Sequence, residues 1–396
     1  MEDFIALITR PEVQRFIAEK ENADVQDLVL RHQEILGLPS AWIATQIQGR
    51  RKAKEKLPLW YGTRNVIYPP AVNLEQCSSE ATARYKQGLI DGHHVADLTG
   101  GFGVDTWFLS RVFTRVDYVE PDAQLLAIAR HNHAMLGADN IRYHVQTASD
   151  FLESNGEVFD LIYADPSRRQ GSRKVIRLAD CAPDVCALQG VWLSRARQVL
   201  IKASPLLDLK QASRELSHID QFIVLAVENE CRELLLMLRR NSRESEPTIH
   251  AVNLAKDGEP TTFAFTWTQE KLARCESGEP QAYLYEPNAA ILKAGAFKLI
   301  AKPYGLVKLS SATHLYTSDE KFDMFPGRIF RVIEQVSLDK KLRDRFEGNR
   351  VNLLVRNYPL RVEEILKKTG LVEGGDAYLI CTRTRKPLVL LARRIR

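Results

Sequence analysis

A short apolar strand that runs straight into a glycine-rich turn and then a helix, HVADLTGGFGVDTWF (His94–Phe108), constrains this chain more than any other stretch. The strand ends at Asp97; Thr99, Gly100, Gly101 and Gly103 make the turn, and a helix is expected from about Asp105. Glycines at such a turn let backbone approach a ligand closely. The helix start beyond it favours a carboxylate or a phosphate. Downstream, β-branched runs alternate with helical ones: VDYVE then AQLLAIARHNHAML, IRYHV, FDLIYAD, VWLSRARQ, QVLIKAS. That βαβα rhythm predicts an open parallel sheet in an α/β fold. FIVLAVENE and CRELLLMLRR then follow too closely for a helical crossover, so the sheet should end in an antiparallel pair.

Carboxylates recur at or just beyond successive strand ends. Asp97 closes the first strand, Glu120 the second, Asp150 follows the third, and Asp165-Pro166 closes the fourth. Taken singly, each reads as a helix cap or a solvated loop acid. Taken together they fall where open α/β sheets bind ligands, with Glu120 suited to the two hydroxyls of a ribose and Asp150 to an adenine amino group. A dinucleotide fold wants G-x-G-x-x-G, and Gly101-Phe102-Gly103-Val104-Asp105-Thr106 lacks the last glycine. The phosphate-binding G-x-x-x-x-G-K-[ST] motif is missing from the sequence.

The array resembles that of class I S-adenosylmethionine-dependent methyltransferases, over about residues 90–240, in a D-L-T-G-G-x-G variant where Thr99 stands for the usual first glycine. The resemblance implies a Rossmann-like sheet and S-adenosyl-L-methionine as cofactor. Asp97, Thr99, Gly100, Gly101 and Gly103 would then face its methionine part, Glu120 its ribose and Asp150 its adenine. Asp165-Pro166-Ser167-Arg168-Arg169 is similar to the [D/N]-P-P-aromatic motif of amino-group methyltransferases, with Asp165 and Pro166 as the catalytic pair and Ser and Arg in place of Pro and the aromatic. An arginine stacks on a base or pairs with a phosphate, so Arg168 and Arg169 remain candidate substrate contacts, or else partners of Asp160 or Asp180. DPSRRQG also resembles, with one extra residue, the D-P-x-R-x-G segment of RNA uridine-C5 methyltransferases. Those need a nucleophilic cysteine after the next strand; this chain has Ala203-Ser204-Pro205 there, and Cys181 and Cys186 read as small apolar residues.

Around this domain, expected at 76–244, residues 1–75 read as a helical extension: Val13, Phe16 and Ile17, then Val25, Leu28 and Val29, fall at helical spacing. A helix from Pro39-Ser40 ends in Arg50, Arg51, Lys52, Lys54 and Lys56, a solvated helix end or a phosphate contact. Small α+β modules are expected at 245–344, opening on a hairpin broken at Asp257-Gly258, and at 345–396, a β-α-β-β unit. The chain as a whole resembles a bacterial methyltransferase group with a C-terminal THUMP-like domain, through NLEQCSSEATARYK, DLTGGFGVDT, ADPSRR, YEPNAAILKAGAF and VRNYPLRVEEILKKTGLVEGGDAYLI. Within it 280–345 looks ferredoxin-like and the tail THUMP-like, which implies modification of tRNA or rRNA.

Charge gives independent support for an RNA partner. Residues 345–396 carry twelve Lys/Arg against five Asp/Glu, a balance of +7 within a chain of net +5. Arg356, Lys367 and Lys368, with Arg361 and the Arg383–Lys386 cluster, are candidate phosphate contacts; the same cluster could serve as an aggregation guard on a strand end. No apolar run reaches the roughly 20 residues of a bilayer span. Six cysteines without a C-x-x-C pair fit a reducing cytoplasm and no metal site. The expectation is an RNA methyltransferase, with a protein or small-molecule methyltransferase and a non-catalytic RNA-binding or assembly protein as alternatives.

Overall fold

The βαβα rhythm of the sequence becomes a parallel sheet in a computed structural model that describes residues 2–167, 169–170, 173–174, 177–240, 242, 246–256 and 259–395. Two units separate, one comprising 1–222 with 233–245, the other 223–232 with 246–396. The strands are β1 (Gly92–Asp97), β2 (Phe113–Val119), β3 (Ile141–His144), β4 (Phe159–Ala164), β5 (Ala196–Ala203), β6 (Ile219–Val227) and β7 (Glu230–Arg239), all in the first unit except the 223–232 tip of the last two. Their order is 3-2-1-4-5-7-6. β1 pairs in parallel with β2 and β4, β2 with β3, and β4 with β5. β7 lies antiparallel to β5, Leu234 opposite Ala203 and Leu236 opposite Ile201. The short β6–β7 connection forces this reversal, because no helix fits between them. Strands buried on both faces read as continuous apolar runs; Val199, Leu200 and Ile201, and Leu234 to Met237, are all buried.

Among the helices of this unit are α1 (Pro11–Glu19), α2 (Ser40–Lys56), α3 (Glu80–Gln87), α4 (Val104–Leu109), α5 (Ala123–Met135), α6 (Ala148–Ser154) and α7 (Val185–Arg195). The N-terminal helices do not stand apart. Ile43, Ile47 and Trp60 share one apolar cluster with Phe102, Val104 and Phe108 of the glycine turn and α4. Trp60 meets Trp107 edge to face at 5.6 Å between ring centres. Asn132 of α5 accepts from Ile67 N–H at 2.9 Å and donates to Ile67 carbonyl at 2.8 Å, pinning the incoming chain. Most of the basic run closing α2 is paired within the fold. Arg50 pairs with Glu21 at 3.0 Å, Arg51 donates to the Glu21 and Ala23 carbonyls, Lys52 pairs with Glu75, and Lys56 donates to the Leu74 and Glu75 carbonyls. These contacts tie the helix end to its own surroundings, while Lys52 and Lys54 keep surface exposure.

In the second unit β8 (Thr248–Leu254) and β9 (Thr261–Phe265) form the expected antiparallel hairpin beside the 223–232 tip, whereas Asp257-Gly258 lies outside the described residues. Beyond them β10 (Tyr283–Pro287), β11 (Val307–Ser310), β12 (Thr313–Ser318), β13 (Gly327–Gln335), β14 (Arg350–Val355), α8 (Val362–Thr369), β15 (Val372–Arg383) and β16 (Pro387–Arg394) build one seven-stranded sheet, in the order 11-12-10-13-16-15-14. The stretch from Tyr285 starts as strand β10, and Ala289–Ala294 then forms an α-helix stopped by Gly295 with φ +88°. The β-α-β-β unit is as expected, with β14 and β15 parallel around α8. Along β15 and β16 successive residues alternate between two cores, Leu379, Cys381, Val389 and Leu391 on one face and Ile380, Leu388, Leu390 and Ala392 on the other. A strand's period of two produces this division.

Candidate active site

The turn after β1 is built by collisions that only glycine avoids. A Cβ on Gly100 would lie 2.2 Å from the Tyr118 ring, and one on Gly103, where φ is +81°, would lie 2.5 Å from His133 Nε2. His133 accepts no larger neighbour because it is locked, Nε2 at 2.8 Å from the Gly103 carbonyl and Nδ1 at 3.0 Å from Tyr143 Oη. Gly101 also has positive φ, +58°, but beyond its own turn a Cβ would meet open space. Two of these glycines therefore serve packing, and Gly101 faces the opening.

Asp97, at the end of β1, is buried and turned inward. It accepts from Thr106 Oγ1 at 2.6 Å and from Thr99 N–H at 3.1 Å. Burial pushes its carboxyl up to about 7, against the pull of these two bonds. Glu120 takes Gly101 N–H at 2.9 Å on one oxygen and Asp122 N–H at 3.0 Å on the other, which ties the end of β2 to the glycine turn. Burial raises its carboxyl too. Asp150 is exposed in the first turn of α6, accepting from Thr147 Oγ1 at 2.7 Å. Carboxylates at the ends of β2 and β3, each keeping acceptor capacity, fit the hydroxyls and amino group of an adenosine.

The end of β4 holds the least anticipated chemistry. Asp165 N–H donates to Thr99 Oγ1 at 2.6 Å, so the residue standing for the usual first glycine points its hydroxyl at the β4 end. One carboxylate oxygen of Asp165 lies 2.5 Å from Nζ of Lys202, on β5. Lys202 is buried; burial opposes its charge, yet Asp165, Glu233 and Asp105 together hold its ammonium well above the ordinary range. A second buried lysine, Lys86 of α3, reaches Glu233 at 2.5 Å, Asp105 at 3.0 Å and Ser78 Oγ at 2.9 Å. Asp105, in the first turn of α4, also accepts from Ser78 Oγ at 2.6 Å and Tyr163 Oη at 2.7 Å. Burial raises its carboxyl, but Lys86, Lys202 and these hydroxyls outweigh it and hold it below the usual carboxylate range. Pro166 is buried beside Asp165. Buried ions persist only when paired, and this set of three acids and two lysines is.

Sequence reasoning passed over Lys86, Asp105, Lys202 and Glu233. The signal was there: a lysine inside VLIKAS and a glutamate inside CRELLLML, charges within strands otherwise apolar on both faces. Arg168 lies outside the described residues, and for Arg169 only the backbone, in a short strand with Gln170, is described. Asp160, one partner weighed for them, accepts from His93 and His94 N–H and lies 3.5 Å from Arg197. In the second unit Arg356 is engaged at 2.7 Å with Glu286, a buried acid that also holds Arg328. Lys367 and Lys368 are exposed in the last turn of α8. His94, Asp117 and Glu157 gather ligand-type atoms, but the Arg115 guanidinium already sits on both acids, 3.2 Å from Asp117 and 2.7 Å from Glu157.

The strand order 3-2-1-4-5-7-6 with its reversed seventh strand, the glycine turn after β1 and the acid ending β2 define a class I S-adenosylmethionine-dependent methyltransferase. Comparison with known proteins carries the assignment further. A solved structure from Porphyromonas gingivalis W83, described as a candidate methyltransferase, superposes with a TM-score of 0.86 at 31% identity, covering 100% of this chain and 99% of its own. The chain belongs to that methyltransferase family. An uncharacterised S-adenosylmethionine-dependent methyltransferase of Mycobacterium tuberculosis is 23% identical over 319 residues, 78% of this chain and 83% of the relative. Residues 283–326 match a ferredoxin-like domain and 327–394 a THUMP domain-like family. Both lie within the single seven-stranded sheet, whose β13 opens the second match.

Proposed function

We propose that this methyltransferase acts on RNA, on a nitrogen of a tRNA or rRNA base, with the 327–394 module holding the RNA. The observation that carries this reading is the charge of the THUMP-like segment, sixteen Lys/Arg against eight Asp/Glu, in a module type that accompanies RNA-modifying enzymes. Lys367, Lys368, Arg385, Lys386, Arg393 and Arg394 are all exposed there. Clustered cations of this kind neutralise phosphates and release counterions. Glu120 and Asp150 would hold the adenosine of the cofactor, and the turn from Thr99 to Gly103 its methionine part. S-adenosylmethionine supplies a methyl group already activated on sulfonium. The protein's task is therefore to hold a nucleophile in line, which by itself supplies much of the rate. Asp165 accepts an N–H of that nucleophile beside Pro166, and Arg168 and Arg169 meet the base or its phosphate. A neutral amine needs no strong base here, because its proton leaves after transfer.

The test is tritium transfer from methyl-labelled S-adenosylmethionine into total RNA and total protein from cells lacking this chain, with wild type and Asp165→Ala side by side. Label in one RNA size class, absent with Asp165→Ala, is the expected result. Label in protein alone would replace RNA by a protein substrate, and label in neither would point to a small molecule. RNA binding that survives with methylation unchanged by Asp165→Ala would favour a binding or assembly role.

A further inference from the structure

Among the described residues Asp165 is held from one side. Its Oδ2 lies 2.5 Å from Lys202 Nζ and its backbone N–H is taken by Thr99, while the side chain keeps 28% of its exposure and no partner of Oδ1 occurs among the described residues. Lys202 in turn is 9% exposed at its side chain and has no route to solvent comparable with that of its partner. We propose that Lys202 is a positioning residue for methyl transfer: by pinning one oxygen of Asp165 it keeps this carboxylate ionised and leaves the other oxygen as the acceptor for an N–H of the nucleophile. The inference rests on the reading of Asp165 as the substrate-orienting residue and adds what makes that orientation work.

The chemistry behind it is a choice between donor and acceptor. A neutral carboxyl presents a proton and would donate to the nucleophile's lone pair, the pair that must attack; an ionised one accepts only. Burial alone drives a carboxylic acid toward the neutral form. Asp105 of α4 presses in the same direction, so that the carboxyl stays above its ordinary value, and Asp165 in turn raises Asp97 of β1. Tyr163 of β4 and the Cys77 thiol lie within electrostatic reach. Lys86 of α3 opposes burial and Asp105 at longer range, and among the described residues Lys202 alone opposes them by direct contact. The rest of the cluster serves Lys202. Glu233 of β7 and Asp105 offset the burial of its ammonium, and Lys86 neutralises what those two acids leave over. Lys56, close enough to feel Lys202, is occupied by backbone carbonyls. The cluster thus spends two lysines to secure one oriented anion at the open end of β4.

The experiment has two arms on the full chain. In the first, protein carrying 13C-carboxyl aspartate is titrated by NMR, the Asp165 signal being assigned by its loss in Asp165→Asn. In wild type this carboxyl is expected to be ionised at pH 7, and in Lys202→Met its midpoint should rise by about one to three pH units, the range an adjacent cation accounts for. A carboxyl that is neutral at pH 7 in wild type overturns the proposal without any variant, which covers the case in which Lys202→Met fails to fold. In the second arm, tritium transfer into RNA is followed against pH. Lys202→Met should lose roughly tenfold in kcat at pH 7 and recover as pH rises, with S-adenosylhomocysteine affinity by calorimetry held within about threefold, while Lys202→Arg restores most of the rate. A Lys202→Met enzyme with the wild-type pH profile also overturns it. Wild type that transfers nothing to RNA, with the carboxyl titration shifting as expected, supports the role of Lys202 and removes the RNA reading instead.

Discussion

Asp97 is ordered, buried and poorly placed to be charged, and pH should expose this. Its folded carboxyl sits at about 7, whereas in an unfolded chain it titrates near about 3.9. Between those values the folded protein keeps the proton that the unfolded chain gives up. Stability from this residue is thus fully present at low pH and falls as pH rises toward 7. Asp97→Asn cannot titrate, so its melting temperature relative to wild type should climb from pH 5 to pH 8; a constant difference would show that Asp97 is ionised throughout. Glu120 is the other acid whose role is read at single-residue scale. Its oxygens already hold Gly101 and Asp122 N–H, so Glu120→Gln keeps the shape but loses charge-assisted acceptance. S-adenosylhomocysteine should bind roughly tenfold more weakly by calorimetry, the loss of about one charged hydrogen bond.

At the scale of elements, the site is a junction of strand ends. Thr99 joins the β1 turn to the end of β4 through a 2.6 Å bond from Asp165 N–H, and Lys202 joins β4 to β5 through the carboxylate of the same residue. Thr99→Val keeps the volume and removes the acceptor, leaving a half-buried N–H unpaired at a cost of about 1–3 kcal/mol. Methyl transfer should fall by about tenfold or more, with cofactor affinity changed less, because the displaced element is the one that carries Asp165. Lost cofactor affinity with transfer intact would instead place the threonine hydroxyl on the cofactor. At the same scale, Glu21, Glu75 and four carbonyls engage the basic end of α2 within the fold.

Across the whole molecule the charges separate by purpose. The first unit buries a few paired charges around its strand ends, Lys86, Asp105, Lys202 and Glu233, whereas the THUMP-like segment keeps Lys367, Lys368, Arg385, Lys386, Arg393 and Arg394 at the surface. Lys367 and Lys368 stand at the C-terminal end of α8, where cations also suit the helix dipole, so removing them should leave the fold intact. The double variant Lys367→Ala/Lys368→Ala should bind RNA more weakly, with the slope of log affinity against log salt lowered by about two, measured by filter retention from 50 to 200 mM salt. An unchanged slope would mean that RNA lies elsewhere on the chain.

Sequence by itself determined the sheet and the acids at its strand ends, because a strand's period, a glycine turn and a carboxylate at a strand terminus are local features, legible within a dozen residues. The same locality made the antiparallel last pair and the β-α-β-β tail readable. What the sequence did not yield was which charges meet. Lys86 and Glu233 are 147 positions apart and Lys202 and Asp165 are 37 apart, and only the fold brings each pair together. Arg356 shows the reverse: a candidate phosphate contact that the fold sets against Glu286, 70 positions away. Pairing of buried ions is decided by desolvation, which exists only once tertiary structure has excluded water, and that is why the supporting chemistry of the site belongs to the fold and not to the motif.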